Sequence, residues 1–175
     1  MRKSYLSNDR VYLRAMEPED LEVLYEMEND PSFWEVSSFT VPYSHYVLKQ
    51  YIESSASDMY ADKQLRLMIV RKSDDMVIGT VDVTDFIPLH SRGAVGIAIE
   101  EEYRKKGYAK DALSLLCDYV FEFLRLKQLY AHIPADNEAS LALFTACGFQ
   151  QWGLVKALVQ TGGPYYDALM TQLVK

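Results

Sequence analysis

The 175-residue chain is short of several things, and each shortage excludes something. It has two cysteines, Cys117 and Cys147. Two thiols without ligand spacing make neither a disulfide framework nor a metal site. Both fall in apolar helical patterns, as small buried thiols in a reduced compartment do, so a cytoplasmic chain is expected. No apolar run approaches the roughly 20 residues needed to cross a bilayer. The basic start, Met1 to Arg10, has no apolar stretch of the kind that secretory signals carry. Positive charge is in deficit, with 18 Lys and Arg against 25 Asp and Glu and a net charge of −7. That balance speaks against general binding of nucleic acid or an anionic membrane, and it is compatible with a cationic acceptor such as an amine. The G-x-x-x-x-G-K-[ST] pattern of nucleotide P-loops is absent. Repeats, low-complexity tracts and linkers are absent too, so residues 1–175 read as a single domain.

What is present is apolar material, 49% of the residues, enough for a sizeable core. The most organised stretch runs from Val95 to Leu124. Val95 to Ile99 is an apolar run suited to a buried strand. Glu100 to Lys106 is charged and has no hydrophobic period. From Gly107 onwards Ala109, Ala112, Leu113, Leu116, Val120, Phe121 and Leu124 fall near helical spacing. Between strand and helix lies Arg104-Lys105-Lys106-Gly107-Tyr108-Ala109. A basic, glycine-containing loop at a helix N-terminus offers unpaired N–H groups and a positive dipole end to a phosphate. An ordinary turn with solvated charges has the same composition, and both readings stay open from this stretch alone.

Elsewhere, Arg10 to Met16 reads as a strand, and Pro18 opens an acidic helix that ends near Asp30-Pro31. Its acids form a solvated face or an amine-attracting one. Ser32 to Tyr43 is irregular; Phe33, Trp34 and Phe39 either wall a pocket or cover the core. Ser44 begins a helical segment to about Ala61. Leu65 to Arg71 and Met76 to Asp85 read as an antiparallel hairpin, with Gly79 marking a bulge or a close backbone approach. Pro88 to Gly93 is a loop. Gln128 to Ile133 is a strand following the long helix, which predicts a parallel βαβ unit. Asp136-Asn137-Glu138 starts a short helix stopped by Gly148. Phe149 to Thr161 and Tyr165 to Val174 are the last strands, about Gly162-Gly163-Pro164.

Three motifs in order carry a resemblance. Arg104 to Ala109 matches Q/R-x-x-G-x-G/A after a strand, Asp136-Asn137-Glu138-Ala139-Ser140 matches the N-x-x-S/A start of the next helix, and Cys147-Gly148-Phe149 matches the G-F that ends it. The chain resembles the GNAT superfamily of acyl-CoA-dependent N-acetyltransferases over nearly its whole length. Gly79 to Ser91 and Gly162 to Met170 resemble most the branch of ribosomal-protein N-terminal and spermidine N-acetyltransferases. The resemblance implies a mixed α/β fold: a central, mostly antiparallel sheet of about seven strands flanked by four helices. It implies acetyl-CoA as cosubstrate and direct transfer to a primary amine in a ternary complex, the acceptor being a polyamine, a protein N-terminus or a small amine. A non-catalytic acyl-CoA-binding module is the alternative. The sequence leaves monomer and homo-oligomer open.

The same resemblance assigns residues. Backbone amides of Arg104, Lys105, Gly107, Tyr108 and Ala109 would hold the CoA pyrophosphate, with charge added by Arg104 and Lys105. Main-chain groups of Ile97 and Ile99 would line the pantetheine arm where strand 96–99 parts from strand 128–133. Asn137 would contact the pantetheine, cap its helix, or both. The family's usual acid, a tyrosine four residues before the helix-ending glycine, is replaced by Phe144, which can pack on the thioester but gives no proton. The acidic residue that related enzymes carry at about Ala94 is missing as well. Asp82, ahead of Asp85, is the candidate base, and Tyr165 on the terminal hairpin a candidate acid, with Tyr166 and Tyr108 behind it. His90 and His132 are further candidates for moving a proton by residue type; His132 reads first as a structural histidine. Cys147 reads as a buried thiol. No residue set reads as a metal site.

Overall fold

The computed structural model describes residues 4–34, 42–55, 58–160 and 163–175, with the side chains of 33 and 34 outside that set. The strands are β1 (Val11–Arg14), β2 (Leu65–Arg71), β3 (Met76–Ile87), β4 (Arg92–Ile99), β5 (Gln128–Pro134), β6 (Gln150–Gln160) and β7 (Tyr165–Val174). They form one seven-stranded sheet in the order β1-β2-β3-β4-β5-β7-β6. Only β4 and β5 pair in parallel; the other neighbours are antiparallel. The helices are α1 (Leu21–Asn29), α2 (Pro31–Trp34), α3 (His45–Ser54), α4 (Met59–Asp62), α5 (Tyr108–Asp118) and α6 (Glu138–Ala146), of which α1, α3, α5 and α6 are nine residues or longer. The expected mixed, mostly antiparallel architecture is thus the observed one.

Sheet pleating sorts the core into two layers. Leu13, Ile69, Val81, Val83, Val95, Leu129, Ala131 and Ile133 belong to the larger one, which the apolar stripe of α5 covers with Ala112, Leu113 and Leu116. A smaller layer on the other side joins Met68 and Val70 to Leu24 of α1 and Ile52 of α3. Each Val, Leu, Ile or Met side chain among them contributes roughly 1.5–3 kcal/mol on burial. Because β2 is covered on both sides, Leu67 to Val70 are all buried and its alternation disappears. Cys117 lies in the larger layer, where burial pushes its thiol up to about 12, far from a nucleophile.

Boundaries differ from expectation in several places: α2 takes in Ser32 to Trp34, read as irregular, and the long helix ends at Asp118 and winds on as a π-turn over Tyr119–Phe123. The helical segment from Ser44 to about Ala61 is broken after Ser54. Serines compete with the helix for backbone hydrogen bonds there, and Asp58 restarts it by accepting from the Tyr60 N–H at 2.9 Å. Strand β3 runs on to Ile87 through Asp85 at φ +48°, with a register shift between Thr84 and Ile87. Strand β4 starts at Arg92 rather than Val95. Gly79 proves to be a close approach: a Cβ there would stand 2.2 Å from the Ala98 carbonyl oxygen. A bulge lies beside it, where Ile69 pairs with Gly79 but Val70 with Val77.

Candidate active site

The parallel pair β4–β5 is short. It holds only at Arg92–Gln128, Gly93–Leu129 and Ala94–Tyr130. Beyond that point β4 keeps its pairing to β3 as far as Gly79–Ile99, and β5 keeps its pairing to β7 as far as Pro134–Ala168. The two strands therefore part after Ala94, leaving a wedge edged by main-chain groups of 95–99 and 131–134. Its β4 side includes Ile97, half-buried, and Ile99, buried. The Ile99 carbonyl is already occupied: the Arg104 Nε donates to it at 2.8 Å. That bond ties the loop to the strand that feeds it, and it spends the Arg104 side chain on the protein's own backbone.

The loop then turns through Lys105 at φ +60° and Gly107 at φ +86° into α5. Gly107 is the N-cap and offers no side chain, whereas α6 is capped by Asn137, whose Oδ1 accepts from the Ser140 N–H at 3.1 Å. Among the described residues, no acceptor faces the backbone N–H groups of Lys105 to Lys110. A run of outward N–H groups at the positive end of a helix is what an anion needs. Tyr108 and Ala109 are half-buried against the core and Lys105 is exposed.

The loop has a partner that local sequence does not signal. Arg10, just ahead of β1, donates to the Lys106 carbonyl at 2.5 Å and to Asp111 Oδ2 at 2.9 Å. Its guanidinium lies 4.7 Å from the Tyr108 ring centre. An ideal Cβ on Gly107 would stand 3.0 Å from its Nη1.

Across the wedge, Phe144 is only 4% exposed and packs edge-to-face on Phe149 at 4.9 Å, a core placement. Cys147 is half-buried; burial raises its thiol above the ordinary value.

Register places Asp82 opposite Gly96 and Ala94 opposite Tyr130, so these residues and His132 share one face of the sheet. Alpha helices 1 and 3 cover that face over β2, yet Gly96 and His132 are exposed. Asp82 is engaged: Arg66 donates from Nε to Oδ1 at 2.8 Å and from Nη2 to Oδ2 at 3.3 Å. The same guanidinium meets Glu28 at 2.5 Å and faces the Tyr51 ring at 5.6 Å. Its two carboxylate partners hold Arg66 firmly protonated despite burial. Asp82 would have to leave this pair to take a proton. His132, by contrast, is exposed and among the described residues makes only a ring contact with Tyr130 at 5.7 Å, so it is no buried structural histidine. Tyr165 is 65% exposed, three residues past the last β5–β7 pair. Phe39, with the Phe33 and Trp34 side chains, lies outside the described residues. On the outer flank, Glu26, Asp30, Glu100, Glu101 and Glu102 line an open hollow of about 250 Å³. Burial and the charges of Glu102 and Glu26 raise the Glu100 carboxyl above the usual range.

Comparison with known proteins agrees with this geometry. Residues 10–150 match the family model described as the acetyltransferase (GNAT) domain. An uncharacterized N-acetyltransferase of Bacillus licheniformis is 29% identical over 97% of this chain and 96% of its own. The spermidine N(1)-acetyltransferase of Escherichia coli K12 is 29% identical over 91% of this chain and 83% of its own. In fold, the chain superposes with a TM-score of 0.84 on the Vibrio cholerae spermidine N-acetyltransferase solved with CoA and spermine, at 24% identity over 95% of this chain and 96% of that one. The chain belongs to the GNAT acetyltransferase family. It is an N-acetyltransferase that uses acetyl-CoA and an amine acceptor.

Proposed function

We propose that this GNAT enzyme transfers the acetyl group directly from acetyl-CoA to a cationic primary amine, of the polyamine or exposed N-terminus class, within one ternary complex. The observation that carries it is the wedge between β4 and β5 opening beside an uncapped helix start. The pyrophosphate would lie on the amides from Arg104 to Ala109, with Lys105 adding charge from solvent and the Arg104 side chain acting within the loop. The pantetheine would lie along the β4 edge, against main-chain groups at Ile97 and Ile99. The Asn137 carbonyl oxygen caps α6, which leaves its amide nitrogen for the pantetheine.

Acetyl transfer needs a neutral attacking nitrogen, a donor for the oxyanion and an acceptable leaving group. Unpaired β4 amides supply donors. Phe144 supplies no proton, and a thiolate leaves without one. Asp82, fixed with Glu28 on Arg66, would contribute an anionic wall to the acceptor side. His132, on the same face and unencumbered, is the better placed base. Tyr165 would serve as an acid only if the hairpin brought its hydroxyl to the wedge. The five carboxylates around the hollow support a cationic acceptor. The likeness of the spermidine enzymes supports a polyamine among the candidates.

The chain is one domain from 1 to 175 in this proposal, since β7 closes the sheet beyond the family match. It works in the cytoplasm, where buried Cys117 stays reduced. Self-association is supported by the edge strand β6, which exposes Trp152, Leu154 and Leu158. Release of free CoA thiol from acetyl-CoA across a panel of amines tests the activity. Tight CoA binding in calorimetry with no release on any amine would favour the non-catalytic module instead.

A further inference from the structure

We infer that Arg10 is the positioning residue of the cofactor loop: it sets the path of residues 106–110 so that their N–H groups converge on one anion. This rests on that loop's being the pyrophosphate cradle. Arg10 reaches the loop from ahead of β1, about a hundred residues earlier in the chain. One guanidinium nitrogen takes the Lys106 carbonyl at 2.5 Å, another takes Asp111 at 2.9 Å, and the plane faces Tyr108 at 4.7 Å. These three partners bracket Gly107, whose φ of +86° no side chain of its own could hold. Binding the Lys106 carbonyl from behind turns the following peptides outward. A preformed cradle saves the ordering entropy that a mobile loop would lose on binding. Only the planar fork of arginine can take a carbonyl and a carboxylate together while stacking on a ring.

The sign of one substitution separates positioning from charge. Asp111 is an anion in the first turn of the helix that receives the phosphate. On charge alone, Asp111→Asn should tighten CoA binding. If Asp111 anchors Arg10, the same change weakens it. The test is calorimetric titration of the purified full chain with CoA. Arg10→Gln should weaken binding at least tenfold, Arg10→Lys nearly as much, and Asp111→Asn about threefold. Hydrogen exchange of the Asp111 amide, which donates to the Gly107 carbonyl at 3.2 Å, should quicken in all three, with the melting temperature nearly unchanged because Arg10 is exposed. Gly107→Glu is the control. If it abolishes binding while Arg10→Gln stays within threefold of the parent, the positioning role is wrong and the cradle stands. Wild-type affinity in Arg10→Lys, or tighter binding in Asp111→Asn, would likewise overturn it. If Gly107→Glu binds CoA normally, the cradle itself is wrong and Arg10 positions nothing.

Discussion

The two walls of the wedge are built differently. On the proposed cofactor side the groups are main-chain: N–H groups of residues 105–110 and the free edge of β4. On the proposed acceptor side they are side chains brought from separate elements, with Glu28 from α1, Arg66 from β2, Asp82 from β3 and His132 from β5. A backbone site needs a few small or turn-forming residues at fixed spacing and tolerates change around them. A side-chain site tolerates change almost nowhere but can be rebuilt for a new acceptor. The difference teaches where substitutions should hurt stability and where they should hurt binding.

The largest effect is expected on the acceptor side. Arg66→Met leaves Asp82 and Glu28 half-buried without their shared cation, so it should cost about 3 kcal/mol. For a chain of this size that lowers the melting temperature by roughly 6–12 °C. A drop below 2 °C would mean that water already satisfies the two carboxylates and that the contrast between the walls is false. Gly107→Glu follows on the cofactor side. A carboxylate at the cradle should weaken CoA binding at least about 100-fold, or about 2.7 kcal/mol, with the fold retained. Circular dichroism and calorimetry on one sample separate the two outcomes; a variant that unfolds would show that the loop supports structure rather than ligand. His132→Gln should lower kcat at least about tenfold without changing the KM for acetyl-CoA. An unchanged kcat would leave water, or Asp82 freed from Arg66, to take the proton.

Legibility in the sequence follows the same division. The loop proposed as the cradle could be read as a loop because a strand, a glycine and a helix start are local patterns; β2 and β7 ended where their residues predicted. The Asn137 cap and the Gly148 stop were legible for the same reason. Arg10 was not, because its bond to Lys106 spans 96 residues and depends on β1 lying beside the start of α5. Nor was the fate of Asp82, since nothing near it announces Arg66, 16 residues earlier. His132 read as structural because strand histidines usually are. Its exposure follows from the early parting of β4 and β5, which only the register reveals. Phe144 was seen as the missing hydroxyl, while its burial on Phe149 came from the fold.

The smallest effect tests whether the acidic hollow belongs to the acceptor side at all. Burial, with Glu102 and Glu26 nearby, raises the Glu100 carboxyl above its ordinary value in the folded chain. A raised carboxyl favours the protonated form on folding. Its contribution is therefore fully present below about 4.5 and is lost as pH rises through the raised folded value. At neutral pH the ionised group is a small burden, screened because it is partly exposed. Glu100→Gln should then raise the melting temperature by about 1 °C at pH 7 and by nothing at pH 4. If the hollow also draws the amine, the same variant should raise the KM for a polycationic acceptor and leave that for a monoamine unchanged. A gain in stability with no change in either KM would mark the hollow as surface charge alone, and the acceptor wall would shrink to Glu28, Arg66, Asp82 and His132.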